Sequence, residues 1–148
     1  MTLREPDAVD RAQAAMAELP PAEIPVVHHH TPGLYIREMH GPMGAMVVTM
    51  RHKTEHPFVL LKGRVRLISE TEGEVIYQAP YLGITKPGTR RVAYFEEDSV
   101  WVTFHPTEET DVEKIAAQIL EPNDNPFLPA DSPHLNHWRL QSPPPVLP

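Results

Sequence analysis

The chain has 148 residues, a net charge of −7 and no cysteine. One domain of this length buries a core without cross-links, and thiol catalysis, cysteine-based zinc sites and disulfide frameworks are excluded. No run approaches 18 apolar residues, and Lys and Arg are scattered apart from Arg90 and Arg91, so neither a membrane span nor nucleic-acid binding through a basic face is expected.

In chain order, residues 5–19 read as an amphipathic helix. Pro6 suits a first turn, and Val9, Ala12, Met16 and Leu19 recur at helical spacing before Pro20 and Pro21 stop the pattern. The start, Met1 to Pro6, has no apolar stretch behind it, so no secretory signal is expected. Residues 20–33 read as a proline-punctuated arm holding His28, His29 and His30. From 34 to 105 the pattern turns to short strands, expected at 34–39, 45–52, 57–61, 64–69, 74–78, 82–86, 90–95 and 99–105 and separated by Pro and Gly turns. In 45–52, Met46, Val48, Met50 and His52 share one face; in 99–105, Trp101, Thr103 and His105 oppose Val100, Val102 and Phe104. Eight short strands with frequent turns predict a sandwich or small barrel. Residues 111–120 return to helix, with Thr110 and Glu113 spaced as a capping box and Val112, Ile115, Ala116 and Ile119 as the apolar stripe. The remainder, 121–148, carries eight prolines among 28 residues together with Phe127, Leu135, Trp138 and Leu140. Apolar groups in a proline-rich segment suggest an arm that lies on another surface rather than a free tail. The expected organisation is a helix and arm over 1–33, a barrel with trailing helix over 34–120, and a proline-rich arm over 121–148.

The stretch from Gly44 to Gly63, GAMVVTMRHKTEHPFVLLKG, resembles the first cupin motif in spacing: Gly44, five residues, Met50, one residue, His52, three residues, His56, six residues, Gly63. Two ligands two apart on a strand point the same way, and a third on the next strand meets them across a hairpin, which leaves positions on a metal open for substrate. The residue types depart from the cupin pattern. Met50 stands at the first histidine position, His52 at the second and His56 at the glutamate position. Over 86–91 Gly88 keeps the second motif, but Lys86 replaces its proline and Arg91 its histidine. Thioethers are weak ligands for hard or borderline metals, and a guanidinium repels a divalent ion. The resemblance covers about 34–105 and implies a mainly β fold: a cupin-like jelly-roll barrel with a short N-terminal helix, a helix after the barrel and a proline-rich C-terminal arm.

The phrases HKTEH, APYLGITKPGTRRVAYFEED, VWVTFHPT and ETDVEK resemble small cupin-like proteins encoded by tailed bacteriophages. That resemblance implies a location in the virion or the host cytoplasm. With a degraded ligand set and long arms, it points first to a non-enzymatic assembly module without a cofactor, joined to itself or to other virion proteins through its arms by Phe127, Leu135, Trp138 and Leu140. The second reading is a metal-dependent cupin enzyme, one divalent ion held by His52 and His56 with His105 or Glu38, and Arg91 receiving a small acidic substrate. The third is a metal-free module for an anionic ligand or sugar, with Arg91, Glu38 and Met50 in the barrel mouth. For each residue a plainer role stands beside these: His52 and His56 as a polar cluster, Arg91 paired with Glu55 or Glu38, His28 to His30 as a solvated run, and Trp101, Tyr94 and Tyr81 as barrel packing.

Overall fold

The computed structural model describes residues 4–20, 23–69, 73–122 and 125–129. Among the described residues, nine antiparallel strands form two facing sheets. The five-stranded sheet runs β1 (Val26–Thr31), β2 (Leu34–Gly41), β9 (Ser99–Pro106), β4 (His56–Lys62), β7 (Tyr81–Thr85); the four-stranded sheet runs β3 (Met46–Val48), β8 (Val92–Phe95), β5 (Arg64–Ser69), β6 (Gly73–Gln78). Alternation sorts each strand. Met39, Phe58, Leu60 and Trp101 from one sheet meet Val47, Val65, Leu67 and Phe95 from the other in one apolar core. Phe58 stacks on Trp101 with ring centroids 4.3 Å apart. Gly63 makes the tight turn between β4 and β5 at φ +91°, where a Cβ would stand 2.5 Å from the Asp98 carbonyl oxygen.

Several expectations change. Residues 26–31, expected in an arm, are β1, an edge strand paired along its length with β2 (Val26 opposite Met39, Thr31 opposite Leu34). The long strand expected at 45–52 is only Met46–Val48, after which the chain leaves the sheet. The first helix, α1 (Ala8–Met16), is shorter than 5–19. Its cap is Asp7, whose side chain accepts from the Asp10 backbone N–H while Asp10 reaches back, so Pro6 lies before the helix. The second helix, α2 (Val112–Ile119), is capped by Asp111, which accepts from the N–H groups of Glu113 and Lys114, rather than by Thr110. Neither helix is long and apolar enough to cross a membrane.

The helices cover different parts of the barrel. Val9 of α1 packs on Val48 and Val92, a cross-strand pair on the outer face of the four-stranded sheet. Asp7 and Asp10 fix the helix there by accepting from buried Arg90 at 3.0 and 2.8 Å, and Arg4 also pairs with Asp10. Burial alone would raise the Asp10 carboxyl, but the hydrogen bonds from Arg4, the Asp7 backbone and Arg90, with the Arg90 charge, together hold it far below the usual range. The beginning of the C-terminal arm lies on the same helix: Asn125 donates to Gln13 at 2.7 Å, and the Arg4 guanidinium stands 5.8 Å from the Phe127 ring centre. Ile115, Ala116, Ile119 and Leu120 of α2 and its end close one end of the barrel against Tyr35 and Met50.

Candidate metal centre and anion pocket

Residues 49–56, where the strand expected at 45–52 breaks, carry the site. The segment owes its path to α2. Lys53 N–H donates to Ile119 O at 2.7 Å, Glu121 N–H donates to Arg51 O at 2.9 Å, and His52 forms a β-bridge with Leu120. On its other side, Gly88 N–H donates to His52 O and Thr49 N–H to Arg91 O. His52 is thus clamped between the end of α2 and the turn after β7.

His56 begins β4, and His105 stands near the end of β9. The register pairs Phe58 with Thr103, so the side chains two residues further along, His56 and His105, are cross-strand neighbours on the inner face. The ring centroids of His56 and His105 are 4.6 Å apart, those of His52 and His56 4.3 Å, and those of His52 and His105 5.4 Å with the last two rings nearly parallel. One ring nitrogen from each lies within 4.8 Å of the other two. His56 is 2% exposed and His105 1%.

Protonation suits ligation. Burial, then the charge of neighbouring His56, His52 and Arg37, lowers His105 to about 2; burial also lowers His56, with Arg91 acting in the same direction. Both imidazoles are therefore neutral at pH 7, the form that donates a lone pair. His52 Nδ1 lies 3.1 Å from Met50 O. A carbonyl only accepts, so Nδ1 carries the proton and Nε2 is the nitrogen left to face a ligand. His105 Nε2 and Thr103 Oγ1 are 2.9 Å apart.

His52 and His56 themselves line a cavity of about 60 Å³, together with Arg37, Met39, Thr49, Met50, Thr85, Thr89, Arg91, Trp101 and Thr103 among others and, among the described residues, with no carboxylate. Arg91 is 7% exposed. Its backbone N–H donates to Thr49 Oγ1 at 2.9 Å, and its side-chain Nε has no hydrogen-bond partner among the described residues. The expected pairing of Arg91 with Glu55 or Glu38 does not occur. Glu55 pairs with Lys86 at 3.4 Å. Glu38 points to the outer face of β2, between His29 at 3.0 Å and His40 at 2.5 Å, and joins neither the histidines nor the cavity. The alternation that turns Arg37 and Met39 inward turns Glu38 out.

The strands bring together His52, His56, His105, Met50 and Arg91. Trp101 lines the cavity, whereas Tyr81 stacks on Tyr77 at 4.2 Å and Tyr94 lies opposite Arg66. Of His28 to His30, His29 and His30 are exposed, as a solvated run would be, and His28 is half-buried with Nδ1 at 2.6 Å from the Tyr35 hydroxyl; His29 also pairs with Glu38, and His30 stacks on Tyr35. Leu135, Trp138 and Leu140, with the tail histidines His134 and His137, lie outside the described residues. Sequence reasoning missed Arg37. Its signal was alternation with Tyr35 and Met39, which puts a cation on an inward face. Burial lowers it only to about 10, so it stays charged at neutral pH.

No family model matches the chain, and no curated protein matches it in sequence. Among solved structures it is similar to a cupin domain from Bordetella pertussis Tohama I (16% identity over 60% of this chain and 98% of that chain, TM-score 0.48). It is also similar to KdgF from Halomonas sp. (17% identity, 60% and 83% of the two chains, TM-score 0.49). A third is a protein of unknown function from Rhizobium leguminosarum (14% identity, 72% and 100%, TM-score 0.48). These likenesses concern the barrel and extend to no ligand or reaction. None of them links the chain to bacteriophage proteins.

Proposed function

We propose that the barrel is a small-molecule site in which His52, His56 and His105 hold one divalent metal ion and Arg91 receives the acidic group of a small ligand beside it. The observation that carries this reading is the meeting of three imidazoles, two buried and His52 half-buried, one nitrogen of each within 4.8 Å of the others. Nitrogens bound to a common ion at about 2.0–2.1 Å stand roughly 3 Å apart, so the rings close by about 1–2 Å on loading. Three neutral imidazoles add no charge, and the ion, when bound, supplies a Lewis acid with positions left for a ligand.

A divalent ion close to Arg91 and Arg37 concentrates positive charge in a cavity without a carboxylate. An anion between the metal and Arg91 relieves that repulsion, and a carboxylate matches the guanidinium fork. Metal and anion therefore favour each other's binding reciprocally. The cavity, about 60 Å³, holds on the order of five water-sized positions, which limits the ligand to a compact acid of a few carbon atoms. Within the site, Arg91 orients the acid, the threonine hydroxyls offer further hydrogen bonds, and Trp101 with the closed end under α2 excludes water. A role in virion assembly, implied by the phage resemblance, is a separate proposal carried by the sequence.

The test is a thermal-shift panel of two- to four-carbon mono- and dicarboxylates, run with and without divalent metal, on wild type and Arg91→Met. The reading predicts that at least one acid raises the melting temperature, more so with metal, and that Arg91→Met abolishes the acid's effect while keeping that of the metal. A panel without response in either metal state, or an unchanged response in Arg91→Met, contradicts it.

A further inference from the structure

Taking a cation out of water is costly, and the barrel does so twice beside one cavity. Arg37 stands on the inner face of β2 between Tyr35 and Met39, opposite Thr103 of β9. Arg91 enters from the other sheet, on the turn leading into β8, where its backbone N–H donates to the Thr49 hydroxyl and its carbonyl accepts from the Thr49 N–H. Both side chains are buried, and both line the cavity. Burial brings Arg37 down only to about 10, so it stays charged at neutral pH. Their charges reach different histidines. After the larger effect of burial, Arg37 is among the charges that lower His105, whereas Arg91 lowers His56. The backbone of Arg37 also lies two residues along the register from that of Tyr35, the partner of His105, which places it about 7 Å further along the strand.

We propose that Arg37 is a specificity-determining residue: it takes a second acidic group of the same ligand, so that the cavity selects a compact dicarboxylic acid over a monocarboxylic acid of equal length. The inference rests on the reading of Arg91 as the partner of the first acidic group. Charge favours a dianion. Two guanidinium groups approach one cavity from opposite sheets, and no carboxylate lines it among the described residues. A monoacid compensates one of these charges, a diacid both, and a divalent ion at the histidines adds to the demand. Geometry agrees. A guanidinium fork matches a planar carboxylate. Two forks reaching in from different sheets suit two carboxylates on a short chain better than one group held twice. Met39 and Trp101, which line the same cavity, offer apolar surface to the methylene link, and the small volume keeps that link short.

The experiment is isothermal titration calorimetry of the full chain, metal-free and zinc-loaded, with malonate against propionate and succinate against butyrate. The proteins are wild type, Arg37→Met, Arg37→Lys and Arg91→Met. Wild type is expected to bind the diacid at least about tenfold more tightly than the monoacid of the same length, the gain from one more charge-assisted pair. Arg37→Met removes that preference and leaves the monoacid affinity unchanged. Arg37→Lys, which keeps the cation and loses the fork, restores part of the preference, a rescue that a packing role would not give. Arg91→Met weakens both classes of acid. Comparing variants within one metal state cancels zinc drawn off by an acid in solution. Where circular dichroism shows Arg37→Met unfolded, Arg37→Gln takes its place. Equal affinities for diacid and monoacid in wild type, or an unchanged preference in Arg37→Met, overturn the inference, while acid binding that depends on Arg91 then still supports the reading beneath it. No binding by any acid in either metal state overturns both.

Discussion

Neutral histidines inside the barrel make the metal-free protein sensitive to mild acid. His105 titrates near 2 in the folded chain against an ordinary value of 6.5. Between those values the unfolded state binds a proton that the folded state refuses. The stability is therefore complete above pH 6.5 and declines as pH falls below it. Lowering the pH from 7.5 to 5.5 costs about 1.4 kcal/mol for this one residue, from RT times the logarithm of the change in unfolded-state protonation. For a chain of this size that corresponds to about 4 °C in melting temperature. His56, also lowered by burial, adds in the same direction. The assay is urea unfolding in EDTA at pH 7.5 and 5.5 for wild type and His105→Gln. Glutamine is neutral at both pH values, so contributions from other groups cancel in the comparison, and the pH-dependent loss in His105→Gln should be smaller by about 1.4 kcal/mol. Equal losses in the two proteins would refute the placement of His105 as a buried neutral imidazole. Added metal should steepen the acid dependence of wild type, because protons then compete with the ion for the same nitrogens.

Other expectations concern the parts that hold the site in place. Arg90→Met leaves the buried Asp10 carboxylate with Arg4 as its remaining cation and should cost about 3 kcal/mol in urea unfolding; a loss below 1 kcal/mol would count against the buried network. Asp111→Ala removes the α2 cap and should cost about 1 kcal/mol, and because the end of α2 clamps residues 51–53, it should also weaken metal binding measured by calorimetry. Gly63→Ala places a Cβ against Asp98 at a left-handed φ and should destabilise by more than about 1 kcal/mol, read by thermal melting.

Most strands were legible because alternation and turn residues are local signals, and the inward set Trp101, Thr103 and His105 follows directly from period two. The failures share a cause in tertiary contact. β1 lacks an alternating apolar pattern, since Val26 alone is buried while His28 and His29 are satisfied by Tyr35 and Glu38. Residues 49–52 look like a strand, but Ile119, Leu120 and the turn at Gly88 take their backbone hydrogen bonds. The spacing of His52 and His56 was readable. Their meeting with His105 was not, because it depends on the register of β4 against β9, some 45 residues apart in the chain. Glu38 was misplaced for want of knowing which face of β2 is inside. Arg91, read as a replacement that spoils a ligand set, lies without a carboxylate beside three histidines that meet without it.

The most direct test is the metal content of untagged protein by mass spectrometry after exposure to iron, manganese, nickel or zinc and removal of excess, for wild type and His56→Ala. About one equivalent in wild type and a small fraction of that in His56→Ala is the predicted result. No retained metal in wild type, or equal retention in both proteins, contradicts a metal centre at His52, His56 and His105.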